Sequence, residues 1–523
     1  MRIGVDVGGT NTDAVLLDGR DVLAEHKTPT TRDVTAGILA AIAGLRASRA
    51  FRPEDVRGVM IGTTHFTNAV VERRRLTPTA AIRLGLPATA ALPPMTDWPD
   101  GLRDALGGHV YLCRGGFEFD GRPIAPLDEA GVRRAAEEIG ELGIRTVAIS
   151  AVFSPVNAEM EARAAEIVAT TLPGVAISVS HEIGRVGLLE RENATILNAC
   201  LRELAGRIAG ALEDAVRQAG IAAPLYISQN DGTLMSVDYC RHYPVATFAS
   251  GPTNSMRGAA SLSGETDCVV VDVGGTTTDV GALVHGFPRE ASVTVEVGGV
   301  RTNFRMPDVL SVGLGGGSIV AGEPAAPEIG PRSVGYEITE RALVFGGDIT
   351  TATDLAVAAG LCDVGDAGAV RGLERGLVEA GVRRIQERVA ELVDRVKTSP
   401  DPVPVVVVGG GSVLLRDELE GASRVIKPDH FAVANAIGAA IAQVGGETDK
   451  VFSLADLPRE RALDEARREA IGKAVAAGAE ERTVEIVDLE EVPLAYLPSN
   501  AVRIRVKAVG DLTLGVPDAS ARA

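Results

Sequence analysis

Two aspartates in this sequence each precede a glycine pair and a cluster of hydroxyl side chains. Residues 3–13 read IGVDVGGTNTD and residues 269–279 read VVVDVGGTTTD. The shared core D-V-G-G-T-x-T-D begins at Asp6 and again at Asp272, 266 residues on. Gly8, Gly9, Gly274 and Gly275 permit a tight turn and carry no Cβ to keep a phosphate away from the backbone. Exposed amides there, with the side chains of Thr10, Asn11, Thr12 and Asp13 and of Thr276, Thr277, Thr278 and Asp279, make a set suited to bind a polyphosphate. Asp6 and Asp272 suit hydrated Mg2+, which keeps several waters and takes one or two carboxylates. One of the two would also orient or deprotonate a nucleophile. Either copy alone reads equally well as an ordinary glycine-rich hairpin; it is the repetition with the leading aspartate that points to phosphate chemistry.

A third element follows. The apolar run Pro404–Val408 leads into Gly409, Gly410, Gly411 and Ser412, where a planar base and a ribose would lie close against the backbone. Further on, Asn435–Ala440 predicts a helix with small residues on one face.

These groups need rigid carriers. The β-branched runs at Ile3 and Val5 and at Val269–Val271 predict buried strands. The apolar stretches after each turn predict a second strand, hence two β-hairpins. A dinucleotide-binding G-x-G-x-x-G would instead lead into a helix, and the P-loop G-x-x-x-x-G-K-[ST] is absent.

The 523 residues carry 52 Lys and Arg against 70 Asp and Glu, a net charge of −18. That balance argues against nucleic acid as a partner, because phosphate-backbone binding needs a basic surface. A hydrophobic fraction of 46% and a charged fraction of 23% describe a globular chain with a large core. Five cysteines without a C-x-x-C, and seven histidines without H-E-x-x-H, offer no cysteine-based metal site and fit a reducing cytoplasm. No run of 18 apolar residues predicts a membrane span, and no signal peptide is expected.

Two phosphate hairpins followed by a glycine-rich adenosine segment resemble the actin/Hsp70/sugar-kinase superfamily. The resemblance implies an α/β fold of two lobes with duplicated mixed sheets, ATP bound in the cleft between them, and Gly409–Ser412 beside the adenosine. Further segments resemble the hydantoinase A/5-oxoprolinase family: Gly62-Thr63-Thr64-His65-Phe66-Thr67-Asn68-Ala69, Ser180-His181-Glu182, Glu190-Arg191-Glu192-Asn193-Ala194-Thr195 with Asn198, Asn230-Asp231-Gly232-Thr233, and Gly315-Gly316-Gly317-Ser318. That family uses ATP to open unreactive cyclic amides such as hydantoins, 5-oxoproline and lactams, and relatives carboxylate ketones. Phosphorylating the amide oxygen gives water an electrophile to attack. By this resemblance the chain is an ATP-binding subunit, and a hydantoinase B-like partner, missing from these residues, completes the hydrolytic step.

Thr63, Thr64, Thr67 and Asn68 offer hydroxyl and amide groups to a small polar substrate, although the same residues read as the capped start of a helix. His65 is an acid–base candidate or simply a hydrogen-bonded histidine. Gly316, Gly317 and Ser318 read as an anion cradle or as a tight turn. His181 and Glu182 precede a long helix, about Leu188 to Ala219, and read as its cap region before they read as catalytic groups; Arg191 and Asn198 share a face of that helix and could point to the cleft. The family's histidine before the glycine-rich turn is absent, with Leu310 standing in that stretch.

The expected division is a first lobe over 1–180, a second over 181–446, and a small C-terminal α+β appendage over 447–523. Two other functions remain open at this point: a small-molecule kinase and a nucleotide-switched regulatory or scaffold subunit.

Overall fold

The computed structural model describes residues 1–514 other than 10, 31–32, 292–294, 304–305, 456 and 495–499. The β-branched runs form the strands predicted from them. Strand Arg2–Val7 turns back into Asn11–Asp18, and strand Cys268–Val273 into Thr278–Val284. The registers repeat at the same offset as the sequence: Asp6 stands opposite Asp13 in the first hairpin, Asp272 opposite Asp279 in the second. Each leading strand is flanked on its other side by a parallel neighbour, Gly58–Thr63 beside the first and Val403–Val408 beside the second. The duplicated mixed-sheet α/β architecture is therefore present.

The first sheet has nine strands, in the order Glu485–Pro493, Ala501–Gly510, Gln443–Ser453, Thr233–Ser236, Leu225–Ser228, Gly58–Thr63, Arg2–Val7, Asn11–Asp18 and Asp21–Pro29. The C-terminal strands thus extend one edge of this sheet, with helix Arg459–Ala476 packed over them so closely that Gly446 has no room for a side chain beside Ala470 and Ala474. The sheet draws on all three parts of the linear division. The second hairpin heads a six-stranded sheet with Phe287–Pro288, Val309–Val312 and Ala422–Ile426. A third sheet is wholly parallel: His109–Arg114, Thr79–Leu86, Thr146–Ala151 and Ala176–Val179.

Helices Ser250–Ser263 and Ala434–Ile441 cross between the two hairpins. A Cβ on Gly438 would lie 1.8 Å from the Asn254 carbonyl oxygen, and one on Gly258 would lie 1.9 Å from that of Ala434. Only glycine lets these backbones touch. Helix Leu188–Gln218 buries its apolar stripe against Val34–Ser48 and the first sheet. Its Glu192 pairs with Arg83 of the third sheet, both side chains buried, with Arg83 Nε donating to Glu192 Oε2 at 2.8 Å. Among the described residues no helix is long and apolar enough to cross a membrane.

Candidate nucleotide site between the two hairpins

The two turns close in the same way. Gly8 N donates to the Asn11 carbonyl at 3.0 Å, and Gly274 N to that of Thr277 at 2.8 Å. A side chain at Gly9 would meet nothing within 4 Å, so the backbone there lies open to a ligand. Not every predicted phosphate ligand is free for that role. Thr12 Oγ1 is buried and shares a hydrogen bond with Thr30 Oγ1, which donates to the Gly8 carbonyl. Its counterpart Thr278 donates inward to the Leu314 carbonyl at 2.7 Å. These two hydroxyls brace the turns. Gly275, Thr276 and Thr277 remain accessible, as does Asn11 in part; Thr10 lies outside the described residues.

Four carboxylates converge. Asn435 Nδ2 donates to both Asp6 Oδ2 and Asp13 Oδ2, each at 3.0 Å. Lys27, from strand Asp21–Pro29, pairs with Asp13 at 2.6 Å. Burial first, then the Asp13 charge, raise the Asp6 carboxyl from its ordinary 3.8 to about 7, with Asp272 adding to the push and Asn254 and Asn435 opposing it. Burial also raises Asp272; Ser255 and the Lys27 cation pull it down, and Asp13 raises it further. Asp279 is lifted to about 6 by burial and then by Asp272, against the hydroxyl of Ser311. Asp272 acts on Asp6, and Lys27 and Asp13 act on Asp272, so the charges of the two hairpins lie within electrostatic reach of one another.

Each leading aspartate lies under a glycine of its parallel neighbour. A Cβ at Gly62 would stand 2.3 Å from Asp6 Oδ1 and 2.5 Å from Asn254 Nδ2; one at Gly409 would stand 2.2 Å from Asp272 Oδ1. Asn254 faces Asp6 without closing a hydrogen bond of ordinary geometry. Asp6 Oδ1 is buried and has no hydrogen-bond partner among the described residues. An acceptor oxygen left this way costs roughly 1–3 kcal/mol unless a water or hydrated cation meets it, and that fits Mg2+ held through water. Among the described residues no three His, Cys, Asp or Glu side chains form a direct metal cage.

The third segment lies on the second turn. Gly411 N donates to the Val273 carbonyl at 2.7 Å and Gly409 N to that of Phe431 at 2.8 Å. Gly409 has φ +86°, which favours glycine, and Gly410 opens to free space. Ser412 is buried, with its hydroxyl unpartnered among the described residues.

The predicted substrate residues divide. Thr63 ends the strand beside Asp6, and Thr64, His65, Thr67 and Asn68 sit half-buried at the start of helix His65–Val71, with Phe66 and Ala69 turned into the core. Thr64 Oγ1 donates to the Val7 carbonyl at 3.3 Å, tying this helix to the first turn. His65 Nδ1 is 2.6 Å from Thr63 Oγ1, and burial, with the Arg75 charge, holds the imidazole down at about 4, neutral at pH 7. Gly316 and Gly317 spend their amides on the Gly274 and Gly275 carbonyls at 3.0 and 2.7 Å, and Ser318 Oγ accepts from Gly315 N. That turn buttresses the second hairpin. Arg191 and Asn198 are fully buried: Arg191 binds Ser180 Oγ and backbone carbonyls, and Asn198 binds Ser178 Oγ and the His242 carbonyl.

Lys27, Asn254 and Asn435 complete the carboxylate cluster, and sequence reasoning assigned them no part in it. Asn435 alone left a signal, as the polar residue opening a helix of small side chains after the third glycine segment.

Comparison with known proteins adds a lineage. A model described as the hydantoinase/oxoprolinase N-terminal region matches residues 2–172, and one described as hydantoinase/oxoprolinase matches residues 191–366. The caprolactamase subunit alpha of Pseudomonas jessenii is 27% identical over 465 residues, covering 84% of this chain and 65% of that protein. The acetophenone carboxylase gamma subunit of Aromatoleum aromaticum is 28% identical over 398 residues, covering 68% and 53%. The chain thus spans between about half and two thirds of the length of these curated relatives. The crystal structure of ATP-dependent caprolactamase from Pseudomonas jessenii superposes with a TM-score of 0.78 at 21% identity, over 98% of this chain and 87% of that one. Nucleotide-free acetone carboxylase does so at 0.68 and 18%, over 99% and 88%. These structures share the fold.

Proposed function

The chain belongs to the hydantoinase/oxoprolinase family, and from that premise we propose that it is the ATP-binding subunit of an enzyme that opens a cyclic amide. The observation that supports the reading is the pair of matching hairpins, whose leading carboxylates Asp6 and Asp272 come from two sheets and each lie at the end of a strand beside an open glycine turn. A triphosphate between the two turns would lie against Gly8, Gly9 and Asn11 on one side and Gly274–Thr277 on the other, with the adenosine against Gly409–Ser412. Asp6 and Asp272 would hold hydrated Mg2+ through its waters. Bound there, the cation offsets phosphate charge.

The remaining work falls to side chains. A cyclic amide placed against Thr64, Thr67 and Asn68 presents its carbonyl oxygen to the γ-phosphate, so the gain is one of positioning. Asp6, titrating near 7, is poised to exchange a proton at that point. Neutral His65 holds the Thr63 hydroxyl. The related caprolactamase and carboxylase chains are named as subunits, which supports a partner, and a hydantoinase B-like one is proposed. A location in the cytoplasm is likewise proposed from the cysteine usage.

The test is ADP release by the chain co-purified with its partner, across hydantoin, 5-oxoproline and ε-caprolactam. Stimulation by at least one amide is expected. ADP release indifferent to all three, or stimulated only by a ketone with bicarbonate, overturns the amide assignment.

A further inference from the structure

Helix Ser250–Ser263 starts without a cap. Asp33 and Ser236 each accept a hydrogen bond from the first turn of the helix that follows them. Ala249, the residue before Ser250, has no acceptor to offer and stands in the left-handed region at φ +57°. Pro252 brings no N–H, and Thr253 N is the first to bond back, to the Ala249 carbonyl. Among the described residues the amides of Ser250 and Gly251 therefore donate to no acceptor. The Ser250 hydroxyl is already spent on the Thr63 carbonyl at 3.4 Å.

These amides open beside the first glycine turn. A Cβ on Gly251 would meet Thr64 Cγ2 at 3.8 Å and nothing nearer. Thr64 Oγ1 in turn donates to the carbonyl of Val7, the residue ahead of Gly8. The next turn of the helix reaches both leading aspartates, since Asn254 faces Asp6 and Ser255 hydrogen-bonds Asp272.

A second observation points to a ligand at the same place. Asn254 is fully buried, and neither its nitrogen nor its oxygen closes a hydrogen bond of ordinary geometry among the described residues. Asp6 Oδ1, also buried, is left in the same state. Asn254 follows Ser250 by four residues and so shares its face of the helix. Helical side chains lean towards the N-terminus, which aims this amide at the open first turn. Its Nδ2 and Asp6 Oδ1 converge beside Gly62, next to Thr63. Buried polar atoms left unpaired are costly, and a polar group arriving in front of the helix relieves that cost.

We propose that the Ser250 and Gly251 amides bind the γ-phosphoryl group of ATP, so that this helix start tells ATP from ADP. The proposal rests on the nucleotide reading above and adds a third contact for the triphosphate beyond the two glycine turns. A helix N-terminus carries about half an elementary positive charge, and its free N–H groups point outward at an anion. With 14 residues, Ser250–Ser263 is long enough to develop that dipole. Lys27 is already paired with Asp13. The helix end thus adds positive potential among the carboxylates without a further cation.

The test is calorimetric binding of ADP and of the non-hydrolysable analogue adenylyl imidodiphosphate to the full chain, both with Mg2+. Gly251→Asp keeps the helix, because a carboxylate in the first turn stabilises it and the space beside Gly251 is open. It also sets a negative charge against the γ-phosphoryl group. Affinity for the analogue should fall at least about tenfold, with that for ADP within about twofold of wild type. Gly251→Pro removes one N–H in a turn where proline is tolerated and should weaken the analogue alone, by about tenfold or more. Equal loss for both nucleotides in Gly251→Asp, or unchanged binding of the analogue, overturns the assignment. A wild type that binds neither nucleotide overturns the nucleotide reading and this one with it.

Discussion

Asn435 Nδ2 lies 3.0 Å from Asp6 Oδ2, joining the first residue of the carboxylate cluster to one 429 positions later in the chain. The same nitrogen also reaches Asp13. One uncharged amide therefore holds two carboxylates that repel each other.

Removing that amide should show in the pH dependence of turnover. Asn435 opposes the forces that lift Asp6 to about 7. A hydrogen bond to a charged group contributes roughly 1.5–3 kcal/mol, and one pKa unit corresponds to about 1.4 kcal/mol. Asn435→Leu is expected to shift the acidic limb of ATP hydrolysis up by about one pH unit or more. An unmoved limb would mean that Asp6 does not govern it.

The same carboxyl links stability to pH. Its folded value of about 7 lies above the ordinary 3.8, so the folded chain binds this proton more tightly than the unfolded one. The resulting stability is present below about pH 4 and is lost as pH rises towards 7, up to about 4 kcal/mol for a three-unit shift. Asp6→Asn should flatten this slope and melt higher than wild type at pH 7.5 without nucleotide, while losing ATP hydrolysis. The measurement is the difference in thermal midpoint between the two proteins from pH 4 to 8; a constant difference contradicts the shift.

Gly62 and Gly409 should tolerate no side chain. In Gly62→Ala the methyl group meets Asp6 Oδ1 at 2.3 Å, and in Gly409→Ala it meets Asp272 Oδ1 at 2.2 Å. Overpacking costs typically about 1–3 kcal/mol, and here it also displaces the carboxylates. Turnover about a hundredfold below wild type is expected from the displacement. Gly9→Ala, where a Cβ meets nothing within 4 Å, is the control and should melt like wild type.

Lys27 is the cation that balances this cluster in the absence of a ligand, paired with Asp13 and lowering Asp272. Lys27→Met leaves the carboxylates without it. Calorimetry on the nucleotide-free chain should then show Mg2+ binding several-fold more tightly than in wild type. Equal or weaker binding would place the cation elsewhere.

Much of the proposed nucleotide site was legible because its parts act over short distances along the chain. A β-branched strand, a glycine pair and a returning strand form a hairpin from local preferences, and the repeat from Asp6 to Asp272 showed that it forms twice. The same locality misled where a residue's type was right but its partners lay elsewhere. Thr12 and Thr278 looked like phosphate donors and are taken by Thr30 and Leu314; Gly316 and Gly317 looked like an anion cradle and donate to the second turn; Arg191 and Asn198 looked directed to the cleft and are buried.

The order of residues alone determined the two hairpins, the leading aspartates and the glycine segments, since sterics and backbone propensity are read within a few positions. Only the folded arrangement decided that Lys27 and Asn435 join the carboxylates, that the C-terminal strands extend the first sheet, and that the uncapped start of helix Ser250–Ser263 lies beside the first turn. Desolvation, charge and hydrogen bonding depend on distance in space, and the Asp6 carboxyl titrates according to neighbours hundreds of residues away along the chain.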